Sequence, residues 1–219
     1  MTNYTFKIMD CALIAIATGE KAQNLRELRD KLKSIHPSCL FYHFWGSLLH
    51  PHFDDPEFQN DFAVWARHNL HDSKISEQLS LIDPNVFEDI EDVRKELIEV
   101  VEERLSESEH VPWAKTGQEF HFIRSQIVIF DTGVSYKDPK DLLKVIPGMS
   151  LGSIFYHFID ARRRTPDKRN DFSVWLTGFG DKYQELITNL DKIDPYFTSL
   201  NDLRHEIDFV FHNFFKKIA

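Results

Sequence analysis

Cysteine is scarce in this sequence. Two thiols in 219 residues, Cys11 and Cys39, are too few for a disulfide framework or a four-ligand zinc site, and reduced thiols are expected. No apolar run approaches the roughly 20 residues that a bilayer-spanning helix needs, so no membrane association is expected. The N-terminal MTNYTFKIMD lacks the basic stretch and cleavage site of a signal peptide, which points to the cytoplasm. Positive charge is also short: 26 Lys+Arg face 35 Asp+Glu, for a net charge of −9. Phosphate backbones would be repelled before contact, so nucleic acid is not an expected partner. The chain carries no Gly-rich phosphate loop, no G-x-S-x-G elbow, no HExxH and no CxxC, and no cofactor is expected.

What remains is an ordinary globular composition, 42% apolar and 28% charged, in a length suited to one good-sized domain or two small ones. Phenylalanine, with 19 residues, and histidine, with 11, stand out. Self-similarity explains part of this. FYHF occurs at 41–44 and again at 155–158, 114 positions later, and Thr18-Gly19, Phe6 and Leu28 match Thr132-Gly133, Phe120 and Leu142 at the same offset. NDFAVW (60–65) then answers to NDFSVW (170–175), Ile82-Asp83-Pro84 to Ile193-Asp194-Pro195, and Arg94 to Arg204. The reading is two repeats, 1–105 and 120–219, joined by a polar linker at 106–119 that contains Pro and Gly. The expected fold is mainly α, or α+β if the segments ending in Thr-Gly are strands. It is a tandem duplication of a roughly 100-residue helical unit packed with pseudo-two-fold symmetry.

FHFIRSQIVIFDTG reads as a strand, while the alanine-rich FKIMDCALIAIATG is open between strand and helix. Asn24 and Asp138 precede short helices as caps. The FYHF segments belong to helices over about 38–49 and 151–163. Asp55-Pro56 and Thr165-Pro166 predict helix starts that place Asn60, Asp61, Asn170 and Asp171 inside a second turn, where such residues are poor choices. Long amphipathic helices are predicted after Asp89 and Ser199.

The polar residues shared by both copies are the candidate site: Tyr42, His43, Asn60, Asp61 and Arg94, with Tyr156, His157, Asn170, Asp171 and Arg204. One reading is a buried hydrogen-bond network that fixes helix crossings. The other makes His43 with Asp61, and His157 with Asp171, acid–base pairs, since a carboxylate orients an imidazole for proton transfer. The motifs supply no nucleophile. A metal site is not expected. His36, His43, His50, His52, His68 and His71 crowd the first copy, but His50 and His52 fall in or beside an insertion, and only His43 and His157 match. Phe62, Trp65, Phe172 and Trp175 fit a core stripe or a pocket wall.

Residues 1–110 carry 11 Lys+Arg and 21 Asp+Glu (−10), whereas residues 111–219 carry 15 and 14 (+1). Arg162, Arg163 and Arg164 stand where the first copy is acidic. They suit a small anionic ligand, a complementary protein surface or a solvated helix end.

The order FYHF, NDFxVW, IDP and an Arg-bearing last helix resembles a prokaryotic family catalogued as a domain of unknown function. The resemblance implies an accessory role linked to carbohydrate metabolism, alongside sugar-transfer or trehalose-type enzymes, and carries no catalytic residue onto this chain. The leading expectation is a non-catalytic ligand- or protein-binding or regulatory module, with Tyr42, Asn60, Tyr156, Asn170 and Arg162–Arg164 as ligand contacts. A hydrolase or transferase using His43 or His157 is the enzyme alternative. A structural assembly subunit, including a homo-oligomer, is the third.

Overall fold

The computed structural model describes residues 5–49, 58–107 and 111–218. Both Thr-Gly segments are strands, β1 (Phe6–Ala22) and β2 (Phe120–Tyr136), and they pair antiparallel as a two-stranded ribbon. Thr18 Oγ1 donates to the Phe122 carbonyl and Thr132 Oγ1 to the Ile8 carbonyl, each at 2.6 Å. Positions 18 and 122, like 132 and 8, sum to 140, the constant sum of one antiparallel register. Gly19 (φ 81°) and Gly133 (φ 72°) take left-handed conformations inside the strands, which continue past them.

This corrects the expected fold. The described residues are 57% helix and 17% strand, so the class is α+β and not mainly α. A tandem pair of helical units related by pseudo-two-fold symmetry does not describe it either. The chain forms two compact units, and the strands divide between them: one unit is 13–126, the other combines 1–12 with 127–219. The physical reason is that a lone strand has no ladder partner for any of its N–H and C=O groups, so each strand must find the other far along the chain.

The 13–126 unit holds α1 (Leu25–Leu32), α2 (Pro37–Leu49), α3 (Asp61–His68), α4 (Ser73–Ser80) and α5 (Ile90–Glu107). Leu28 and Leu32 of α1 and Leu97 and Val101 of α5 are fully buried. Phe120 of β2 stacks on Phe62 at 4.9 Å and meets Trp65 edge-on at 5.6 Å. Asn24 caps α1 by accepting from Glu27 N–H, while the Glu27 carboxylate reaches back to Gln23 N–H.

The second unit adds Phe6 and Ile8 of β1 to α6 (Leu142–Val145), α7 (Leu151–Ile154), a π-helical stretch (Phe155–Asp160), α8 (Ala161–Arg164), α9 (Asp171–Thr177), α10 (Gln184–Asp191) and α11 (Leu200–Lys217). Phe6 packs 5.0 Å from Phe172 and 5.1 Å from Trp175, and Phe211 of α11 closes on Phe172 at 6.1 Å. The aromatic stripe of the NDFxVW segments is therefore core.

The start of those helices is also corrected. Asn60 and Asn170 do not sit in a second turn; they are the N-caps of α3 and α9, accepting from Ala63 N–H at 2.9 Å and Ser173 N–H at 2.8 Å. Asp61 and Asp171 are the first helical residues, where the helix dipole favours an acid. Pro166 lies in the preceding turn. Pro56, His50 and His52 fall outside the described residues. Among the described residues no helix is long and apolar enough to cross a membrane.

Candidate functional site

His43 lies on the apolar helix α2, and only 2% of it is exposed. Phe62, Phe120 and Phe122 surround its ring at 5.3, 4.7 and 6.1 Å. Its Nδ1 lies 2.7 Å from Asp61 Oδ2, and its Nε2 accepts the backbone N–H of Ile123 on β2 at 3.1 Å. In the other unit, His157 Nδ1 lies 2.8 Å from Asp171 Oδ2, and its Nε2 accepts the Met9 N–H of β1 at 2.9 Å. The structure thus joins each candidate histidine to its candidate aspartate, and the two pairs belong to different units.

The chemistry of these pairs follows from their donors. A backbone N–H can only donate, so Nε2 must present its lone pair and Nδ1 must carry the proton toward the carboxylate. One neutral tautomer is selected. Each histidine ties a helix, a helix start and a strand together, and no lone pair is left to take a proton from a substrate.

The other shared residues are committed in the same way. Asn60 Nδ2 donates to the Leu79 carbonyl at 3.0 Å, and Asn170 Nδ2 to Ser173 Oγ at 2.9 Å. Arg94 is buried on α5 and donates to the carbonyls of Leu32 and Ile35, closing the end of α1; its other contact is Glu91. Arg204 reaches the Met149 carbonyl at 2.8 Å. Tyr42 stands edge-on to His43 at 5.3 Å, and burial, reinforced by Asp61, pushes its hydroxyl above the usual range. Tyr156 meets His157 edge-on at 5.0 Å, and burial likewise raises its hydroxyl, opposed by Arg164.

The three arginines are engaged internally. Arg162 donates to the Ile193 carbonyl at 3.1 Å. Arg163 and Arg164 both bind Asp160, which is 1% exposed, at 2.8 Å. Arg164 also donates to Asp171 Oδ2 at 3.0 Å and lies 3.9 Å over the Tyr156 ring. This charge network borders the π-helical stretch that carries His157, a rare geometry in which the helix ladder is locally widened. Nearby, Cys11 Sγ donates to the Gly152 carbonyl at 3.2 Å, and burial, with Asp160 and Asp10, pushes its thiol up to about 12.

None of the predicted residues lines the concavity found in the 13–126 unit. This hollow of about 410 Å³ lies among β1, β2 and the α1–α2 junction, and Arg124, His36 and Cys39 are on its wall. Arg124 is not among the residues that match between the two halves, its partner at the 114-residue offset being Asp10. The burial alternation of β2 ends at Phe122: Arg124 keeps the parity of Phe120 and Phe122 in the strand period of two but is exposed, so the period alone does not mark it. No group of three His, Cys, Asp or Glu residues able to hold a metal occurs among the described residues.

Comparison with curated proteins finds no match. Among solved structures the chain is similar to OrfY from Thermoproteus tenax, with 25% identity and a TM-score of 0.80 over 95% of this chain and 94% of that one. The likeness of fold therefore extends through both units. A family model described only as a family of unknown function, DUF5752, matches residues 3–212, and the chain belongs to that family.

Proposed function

We propose that this chain is a non-catalytic binding or regulatory module of the cytoplasm. One observation carries the reading: in both His–Asp pairs the imidazole Nε2, the atom a general base would use, is held by a strand N–H. The polar residues that made an enzyme plausible from sequence serve as helix caps, strand anchors and carbonyl clamps. A hydrolase or transferase would have to break a half-buried hydrogen bond from a strand N–H before its base could act, at a cost of about 1–3 kcal/mol for the stranded N–H.

Thermal denaturation of His43→Ala and His157→Ala tests this. Each variant strands a half-buried N–H, removes an aspartate's imidazole partner and opens a cavity among aromatic rings, so each should lose on the order of 3–5 kcal/mol. Unchanged melting in both variants would show that the histidines are not needed for the fold and would return them to a catalytic role.

A further inference from the structure

The geometry points to a binding site for a small organic anion in the hollow around Arg124. This rests on the binding-module reading and names its ligand class. The hollow, about 410 Å³, is within the range of sites that enclose metabolite-sized molecules. It lies wholly within residues 13–126.

Arg124 sets the chemistry. Its guanidinium carries five donors in a rigid fork and is always charged. Among the described residues it has no hydrogen bond or ion pair, in contrast to Arg94, Arg104, Arg162, Arg163, Arg164, Arg169 and Arg204. The one carboxylate on the wall, Glu20, is occupied by Lys31 and leaves the arginine's charge uncompensated.

His36 supplies a second donor. Its Nδ1 accepts the Ser38 N–H at 3.2 Å and lies 2.7 Å from Ser38 Oγ, so the ring proton resides on Nε2. The hydroxyls on the wall are already used: Thr18 donates to Phe122 O, and Ser34 to Lys31 O. Ile16, Ala17, Ile35 and Cys39 add an apolar surface, and burial holds the Cys39 thiol above its usual range, which keeps it neutral. The wall thus presents one cationic fork, one imidazole N–H and an apolar flank. It fits a molecule whose carboxylate or phosphate takes the fork bidentately while an apolar body lies on the isoleucines. A cation or a purely apolar ligand does not suit it.

The test is NMR titration of the full chain, ¹⁵N-labelled, with benzoate, phenyl phosphate, inorganic phosphate and, as a neutral control, benzyl alcohol. Saturable shifts are expected at the Arg124 Nε–H and the amides of 16–18, 34–36, 38 and 39 with benzoate or phenyl phosphate, and not with benzyl alcohol. Whichever of the two binds more tightly identifies the head group, and weaker binding of inorganic phosphate shows the contribution of the apolar flank. Arg124→Gln should weaken binding by on the order of tenfold to a hundredfold, as loss of charge-assisted hydrogen bonds implies. Arg67→Gln, an exposed charge on α3, should change nothing. No saturable shift at these positions, or equal weakening by Arg67→Gln, overturns the site. Saturable binding mapped to other amides would overturn this site while leaving the binding-module reading intact, which the histidine variants decide separately.

Discussion

Gly152→Ala gives the sharpest test of how β1 is seated. A Cβ built at Gly152 would lie 2.3 Å from the Cys11 carbonyl oxygen and 2.3 Å from Asp10 Oδ1. Real Cβ contacts do not fall below 3.0 Å, so a gap of at least 0.7 Å (3.0 minus 2.3) must open. The carboxylate can swing aside, but the carbonyl belongs to the strand and moves only with it. The Met9 N–H bond to His157 Nε2, two residues away at 2.9 Å, then lengthens or breaks. Overpacking costs about 1–3 kcal/mol and a stranded N–H about 1–3 more, while alanine returns about 0.5–1 through its better helix propensity. The net loss is about 1–5 kcal/mol, or a melting point lower by about 2–20 °C for a chain of this size. Thermal denaturation followed by circular dichroism measures it. Gly148→Ala is the internal control, because a Cβ there meets nothing within 4 Å. A Gly152→Ala protein as stable as the wild type would refute the close approach of strand to helix.

Two further outcomes follow from the caps and the thiol. Asn60→Ala should cost about 2 kcal/mol, the upper end for an N-cap, because its amide also holds the buried Leu79 carbonyl; urea denaturation measures this. Cys11 titrates at about 12 when folded, above its ordinary value of 9.0, so the native state holds the proton more tightly than the unfolded chain. Its contribution to stability is complete below pH 9 and is lost as pH rises toward 12. Cys11→Ala should flatten the fall of stability over that window, and an unchanged slope would assign the fall to other groups.

The residues that met in space were largely legible in the sequence; their purpose was not. His43 with Asp61 and His157 with Asp171 were paired because matched polar residues amid apolar helices demand partners. What decided their role was the far nitrogen of each ring, and its partner is a main-chain N–H that no sequence pattern displays. The caps Asn60 and Asn170 are hard to read from sequence because a Thr-Pro pair such as Thr165-Pro166 imitates a helix start, whereas Asn170, four residues after the proline, makes the actual cap. The fold class turned on the alanine-rich β1. Its propensity is ambiguous, and only pairing with β2, about a hundred residues away, settles it as strand. Arg124 was passed over because its meaning lies in having no partner, a property of the surroundings and not of the residue.

The division of each strand between two units imposes an order on synthesis. In a growing chain, residues 13–126 emerge as one run, and His43 needs to wait only for Ile123, 80 positions on. The other unit cannot close until its helices have been made, and it must then retrieve Phe6 and Ile8 of β1 together with Met9, which lies 148 positions before His157. Until that moment Phe6 and Ile8 have no core to enter, whereas Leu13 and Ala22 of the same strand are buried within 13–126, and closing so long a loop is slow. The first half of β1 is therefore the last part of that strand to find its place.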